Sequence, residues 1–221
     1  MSCLAEFVTA YGKSAESRLR PFKFNQRGEG FARSSYYQCA LRTIRTYHAE
    51  GNNPGIFDRD LLEMRVRADK ATERWERTKF ERNASAVRAY RKVYGNRSFK
   101  ILPNRRLAYR IGGIVITAQT DLWAEEHGTQ ILLKIGMAKH SVSYIDMLLS
   151  LLRKAAVGSG YRIRAKSIVY LNISNAREMI CSGGLTRFNR TFAAAAKEIV
   201  NVWPSITLPS LHSPEPGEVR A

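Results

Sequence analysis

Cysteine is scarce in this chain, and what there is does not cluster. Cys3, Cys39 and Cys181 lie far apart, are odd in number and form no Cys-x-x-Cys pair. That pattern excludes a disulfide framework or a structural zinc site and reads as reduced thiols. Histidine is equally sparse. His48, His127, His140 and His212 are scattered, with no Glu-x-x-His or His-Glu-x-x-His spacing to build a metal-binding helix face. The one His-x-Glu, His48-Ala49-Glu50, has no Pro-Cys-x-x-Cys downstream, so zinc deaminase chemistry finds no support. There is no Gly-x-Ser-x-Gly, which removes the usual serine-hydrolase signature. No apolar run approaches the length of a membrane span. The opening Met-Ser-Cys-Leu-Ala-Glu-Phe-Val lacks the basic-then-apolar pattern of a signal peptide, and a cytoplasmic location is the expectation. Negative charge is also in deficit. Lysine and arginine number 36 against 19 aspartates and glutamates, a formal net charge of +17 spread along the chain. Such a field draws in polyanions, so nucleic acid is the leading partner and an anionic membrane surface the runner-up.

What is present suits a globular protein. A chain of 221 residues with 44% hydrophobic content can bury a core of its own. The fold class expected is α/β, with a mixed sheet of about four to five strands flanked by helices. We read residues 58–203 as this core with a closing helix, residues 1–57 as helices and a basic loop packed on it, and residues 204–221 as a disordered tail carrying Pro209, Pro214 and Pro216. Leu4, Phe7, Val8 and Tyr11 suggest a short first helix ending at Gly12. Residues 13–33 read as an irregular basic loop in which Arg18, Arg20, Lys23, Arg27 and Arg33 alternate with Phe22, Phe24 and Phe31. Cations that grip phosphates beside rings that stack on bases make it a nucleic-acid-binding candidate.

Ser35 and Gln38 have capping-box spacing ahead of a helix running to Gly51, with Tyr37, Leu41, Ile44 and Tyr47 on one face and Arg42 and Arg45 on the other. A long helical pattern then starts near Asp58 and runs to Tyr94. Its charges, among them Glu73, Glu76, Glu81, Arg77 and Arg82, suit intrahelical ion pairs. Strands are expected at 99–102 and 107–111, with Gly112-Gly113 turning the latter into Ile114-Val115-Ile116. Residues 144–157 are apolar nearly all round and predict a buried helix. Residues 161–173 predict the next strand, whose leading half presents Arg162, Arg164 and Lys166 as a ladder of charge. A helix over 185–202 closes the pattern after Ser182-Gly183-Gly184.

The most informative stretch runs from Gly112 to Gly136. If His127-Gly128 is a two-residue hairpin turn, antiparallel pairing sets Asp121 across from Lys134, Trp123 across from Leu132 and Glu125 across from Gln130, all on one face. That face comes close to a metal-dependent nuclease site. Such sites place an acidic residue on one strand and an acidic-x-Lys tripeptide on the next; two carboxylates then hold a divalent metal and the ammonium supports an attacking water. Here the tripeptide is Leu132-Leu133-Lys134, and the second carboxylate is missing.

The order of elements and the Asp121 and Lys134 pair resemble the PD-(D/E)XK nuclease superfamily over roughly residues 58 to 175. The core of that family is a helix, three antiparallel strands, a second helix and a fourth strand. Thr120 stands where the family has proline, and Leu132 where it has its second acid. The resemblance implies a catalytic and metal-binding role for Asp121 and a catalytic role for Lys134. It would also imply magnesium or manganese if catalysis survives, the missing oxygen ligand coming from Glu125, Gln130, Glu76 or Glu81. A plain cross-strand ion pair is the alternative reading of Asp121 and Lys134. Three functions follow: a nucleic-acid-binding protein with degenerate chemistry, which this sequence favours; an active magnesium-dependent nuclease with a displaced carboxylate; and a protein-interaction or regulatory module.

Overall fold

The computed structural model describes residues 5, 7–8, 13–26, 36–182 and 188–206. Six helices and seven strands are defined among them: α1 (Ala15–Gln26), α2 (Gln38–Ala49), α3 (Pro54–Lys70), α4 (Arg74–Tyr94), β1 (Lys100–Ile101), β2 (Leu107–Ile111), β3 (Ile114–Ala118), β4 (Leu122–Glu126), β5 (Thr129–Gly136), α5 (Val142–Gly158), β6 (Ile168–Asn172), β7 (Arg177–Ile180) and α6 (Asn189–Val202). The expected mixed sheet is present. Its order is β1-β4-β5-β6-β7, every pair antiparallel except β5 with β6, which α5 joins as a crossover. β2 and β3 form a separate hairpin.

The two faces of the sheet carry two cores because successive side chains on a strand point to opposite sides. Leu122, Ala124, Leu133, Val169 and Leu171 pack against α2, α3 and α4, while Trp123, Leu132, Ile168 and Tyr170 pack with α5, the β2–β3 hairpin and Phe192 of α6. The hairpin rests on the end of α5, where the Ser159 hydroxyl accepts the Ala108 N–H at 2.8 Å. At its tip Gly112 and Gly113 take positive φ (53° and 87°). A Cβ on Gly112 would lie 2.8 Å from that of Ala196 in α6, so the turn's left-handed backbone and the close helix both require glycine there.

Sequence and structure part at several places. The single helix expected over 58–94 is two. It begins at Pro54, with the Asn53 side chain accepting the Gly55 N–H at 3.0 Å, and it breaks where Ala71 and Glu73 turn extended. The break lets α4 fold back beside α3 so that both cover the same sheet face. The intrahelical ion pairs expected along α4 do not form among the described residues; Arg91 instead reaches Asp58 of α3 at 2.6 Å. Residues 15–26 are helical rather than irregular, even with Pro21 inside. Tertiary bonds offset that disfavoured proline: Arg18 bonds the Phe7 carbonyl and Glu198, each at 2.9 Å, and Lys23 caps the carbonyls of Trp203 and Ile206 at 2.8 and 2.9 Å.

The strand expected from residue 161 starts only at Ile168, after a short 3₁₀ turn at Ala165–Ser167. The chain must first travel from the end of α5 to the sheet, and pairing with β5 begins where Ile168 meets Leu132. Finally, β7 is an edge strand with no expectation behind it, its side chains mostly exposed. The 38–49 helix forms, but its N-cap Tyr37 makes no side-chain cap bond, and Ser35 lies outside the described residues, as do Leu4, Tyr11, residues 27–33, 183–187 and the proline-rich tail from 207.

Candidate functional site

The hairpin between β4 and β5 has the expected register. His127 and Gly128 take left-handed φ of 48° and 73°, and this sets Trp123 opposite Leu132 and Glu125 opposite Gln130. Asp121, just ahead of β4, donates its N–H to the Leu133 carbonyl at 2.9 Å. Its carboxylate meets Lys134: Oδ1 accepts from Lys134 Nζ at 2.7 Å, and Oδ2 accepts the Ile135 N–H, also at 2.7 Å. Both carboxylate oxygens are thus held within the protein. Tyr170 lies opposite Lys134 on β6. Burial, with the Asp121 charge adding to it, pushes its phenol up to about 12, and its hydroxyl has no hydrogen-bond partner among the described residues. That hydroxyl rests against Gly136, where a Cβ would come within 2.0 Å.

The donors needed for a divalent metal do not assemble here. Leu132, in the position of the missing acid, is 0% exposed and sits in the core beneath α5. Glu125 shares the Asp121 face but lies four residues along the strand, about 13 Å away at about 3.3 Å per residue, with Gln130 and Lys100 as its cross-strand partners. Glu76 and Glu81 belong to α4, whose buried side chains pack on the opposite face of the sheet. Among the described residues no three His, Cys, Asp or Glu side chains converge as metal ligands. The residues present therefore do not fit a magnesium or manganese shell.

A different arrangement surrounds the pair. Residues 100–120 and 147–177 contain no aspartate or glutamate, and the fold brings a loop of each into contact. Arg105, in the loop before β2, donates to the Tyr161 hydroxyl at 2.9 Å, and Tyr161 in turn lies edge-on to Trp123 with centroids 4.8 Å apart. Arg106, Arg162, Arg164 and Lys166 extend the same loops, all exposed and with no ion pair among the described residues. Residues 161–166 keep the alternating exposure of a charge ladder without being a strand.

Beside Trp123 opens a cleft of about 640 Å³ along β1, the end strand of the sheet, walled by Arg45, His48, Ala49 and Asn52 from α2 and the turn after it, and by residues 98–104. Arg45 donates to the Asp121 carbonyl at 2.8 Å, and Asn104 donates to the Thr120 carbonyl at 2.9 Å, so the cleft borders the Asp121 pair. Its wall is held by buried His48. The ring's Nδ1 lies 2.7 Å from the side-chain oxygen Oδ1 of Asn52 and its Nε2 2.7 Å from the Tyr90 hydroxyl. The Asn52 amide itself donates to Arg97, so Nδ1 carries the proton and Nε2 accepts from Tyr90. Burial lowers the His48 pKa to about 4, and the ring is neutral.

The residues expected to bind nucleic acid fare differently. Arg162, Arg164 and Lys166 are exposed on the acid-free loops. Arg18 and Lys23 spend their cationic groups holding α1 to the closing helix, Arg20 pairs with Glu16 at 2.6 Å, and Arg27 and Arg33 lie outside the described residues. Lys100, Asn104 and Arg105 are not among the residues that the sequence marks as a site, and Arg45 stands out there only as part of the polar face of a helix. The signal that could have found most of them is the absence of acids from residue 100 to residue 120. No protein family, curated protein or solved structure matches the chain.

Proposed function

We propose that this chain is a nucleic-acid-binding protein on a nuclease-like α/β scaffold that has lost its metal chemistry. The observation that carries the reading is that two acid-free stretches distant in sequence, one with Arg105 and Arg106 and the other with Arg162, Arg164 and Lys166, meet where Arg105 bonds the Tyr161 hydroxyl. Guanidinium and ammonium groups with no carboxylate to neutralise them attract phosphates, and the net charge of +17 raises the encounter rate. The scaffold part rests on element order. Helix α4, the antiparallel strands β1, β4 and β5, helix α5 and the parallel strand β6 follow one another as in the PD-(D/E)XK core, with the β2–β3 hairpin inserted after β1. The loss of chemistry rests on Leu132, buried where that family has an acid, and on Asp121, whose two oxygens are already bonded.

The test is binding of duplex and single-stranded oligonucleotides across a salt series, with and without magnesium or manganese. Affinity should fall steeply with salt, because each neutralised phosphate releases counterions. The triple variant Arg162→Ala/Arg164→Ala/Lys166→Ala should flatten that dependence while keeping the fold. No cleavage is expected. Metal-dependent cleavage by the wild type that disappears in Asp121→Ala would install the nuclease alternative, with Glu125 the first acid to examine. No binding at low salt would leave the interaction-module reading. No described helix is long and apolar enough to cross a membrane.

A further inference from the structure

We infer that the cleft along β1 receives an unpaired nucleotide, so that the protein selects single-stranded nucleic acid or a frayed end over a closed duplex. This rests on the nucleic-acid reading above and adds the form of the nucleic acid. Three features of the cleft support it. First, the cleft is continuous with the basic surface: Trp123 lines the cleft and touches Tyr161, and Asn104 in the cleft wall is followed directly by Arg105. A strand held by its phosphates at Arg105, Arg162 and Arg164 therefore passes the mouth of the cleft.

Second, the size fits. About 640 Å³ lies within the range of about 300–1,000 Å³ of small-molecule sites, enough for one or two nucleotides and far too little for a duplex. Third, the lining suits an anionic, hydrogen-bonding ligand. It contains no acid; among the described residues Arg45 and Lys100, both exposed, form no ion pair, and the indole N–H of Trp123, only 5% exposed, has no partner. Two other polar side chains of the wall are already bonded within the fold, His48 with Tyr90 and Asn52, and Asn104 with Thr120. Because β1 has no strand on its outer side, the opening is not closed by the sheet itself. Proteins that hold single strands combine such a positive groove with aromatic faces.

The experiment measures fluorescence anisotropy of three probes of about 12 nucleotides: a single strand, a blunt duplex, and the duplex with a single-stranded overhang. Wild type should bind the single strand and the overhang about tenfold more tightly than the blunt duplex. Two variants probe the cleft. Ala49→Trp fills it from an exposed helix position without removing charge, and Lys100→Ala removes one of its cations. Each should abolish the preference while leaving blunt-duplex affinity within about twofold and thermal unfolding unchanged. The triple Ala variant of Arg162, Arg164 and Lys166 should weaken all three probes alike. Equal wild-type affinity for blunt and single-stranded probes, or a preference that survives Ala49→Trp, would overturn the inference and leave the cleft for another ligand such as an extended acidic peptide. Failure of the wild type to bind any probe at low salt would instead overturn the nucleic-acid reading along with it.

Discussion

Leu132 shows how one side chain decides between two chemistries. Replacing it with glutamate writes the acidic-x-Lys tripeptide back into β5, yet the position is 0% exposed and packed beneath α5 among Trp123, Ile168 and Tyr170. A carboxylate there would lie cut off from solvent among apolar side chains, and burying a charge in such a place costs several kcal/mol. We therefore expect Leu132→Glu to lower the unfolding midpoint sharply in thermal denaturation and to gain no stabilisation from added manganese; a clear manganese-dependent rise would show that the site can reassemble. His48 makes a prediction of the opposite kind, since its ring is held neutral by burial, with a pKa near 4 against an ordinary 6.5. The unfolded chain takes up a proton below about 6.5 that the fold refuses. Stability should thus fall as pH drops from about 6.5 towards 4, by about 3 kcal/mol in all from this group. Urea midpoints recorded over that range should show the loss, and His48→Gln should flatten it while starting from a lower plateau.

At the scale of elements, the last helix is docked through a lysine. Lys154 of α5 is 6% exposed, donates to the side-chain oxygen of Asn189 at the start of α6, and lies over the rings of Tyr109 and Phe192 at 5.6 and 6.0 Å. Burial lowers its pKa, because no carboxylate compensates the lost water. Between that lowered value and the ordinary 10.5 the unfolded chain holds more protons than the fold, so stability should climb with pH through that window. Lys154→Met should remove this rise and stabilise the protein at neutral pH, as measured by thermal unfolding; an unchanged pH profile would assign the effect elsewhere. Elements also divide into those legible in the sequence and those set by packing. The β4–β5 register was legible because a His-Gly turn of left-handed residues leaves only one pairing that puts Trp123 and Leu132 inside. The α3–α4 break was not, since Lys70-Ala71-Thr72-Glu73 contains neither glycine nor proline and its reason is the shared sheet face beyond. α1 was misread from the other side: Pro21 and a run of arginines look irregular until Arg18 and Lys23 find acceptors about 180 residues away, long-range bonds that local pattern cannot contain.

For the whole molecule the question is how an excess of charge becomes a binding surface. A net +17 attracts any polyanion, but long-range attraction alone is screened within about 10 Å at moderate salt. Residues 36–97 mix their cations with acids that take up several of them, as in Arg42 and Arg67 with Glu63, Arg59 with Asp60 and Arg91 with Asp58, while Arg97 pairs with Glu126 of β4. What sets the loops of Arg105, Arg106, Arg162, Arg164 and Lys166 apart is that they belong to stretches with no aspartate or glutamate at all, and here the candidate site was only half visible in the sequence. The acid-free runs could be read there, but their meeting through Tyr161 and Trp123 is a property of the fold. This distribution sets a number. If those five cations each neutralise one phosphate of a duplex, the logarithm of affinity should fall against the logarithm of salt with a slope of about −4.5, at about −0.9 per contact. The Arg162→Ala/Arg164→Ala/Lys166→Ala variant should bring the slope to about −1.8 by the same relation, whereas Arg67→Ala, across the sheet in an ion pair with Glu63, should leave it unchanged. A slope near −4.5 that survives the triple substitution would place the phosphates on another face.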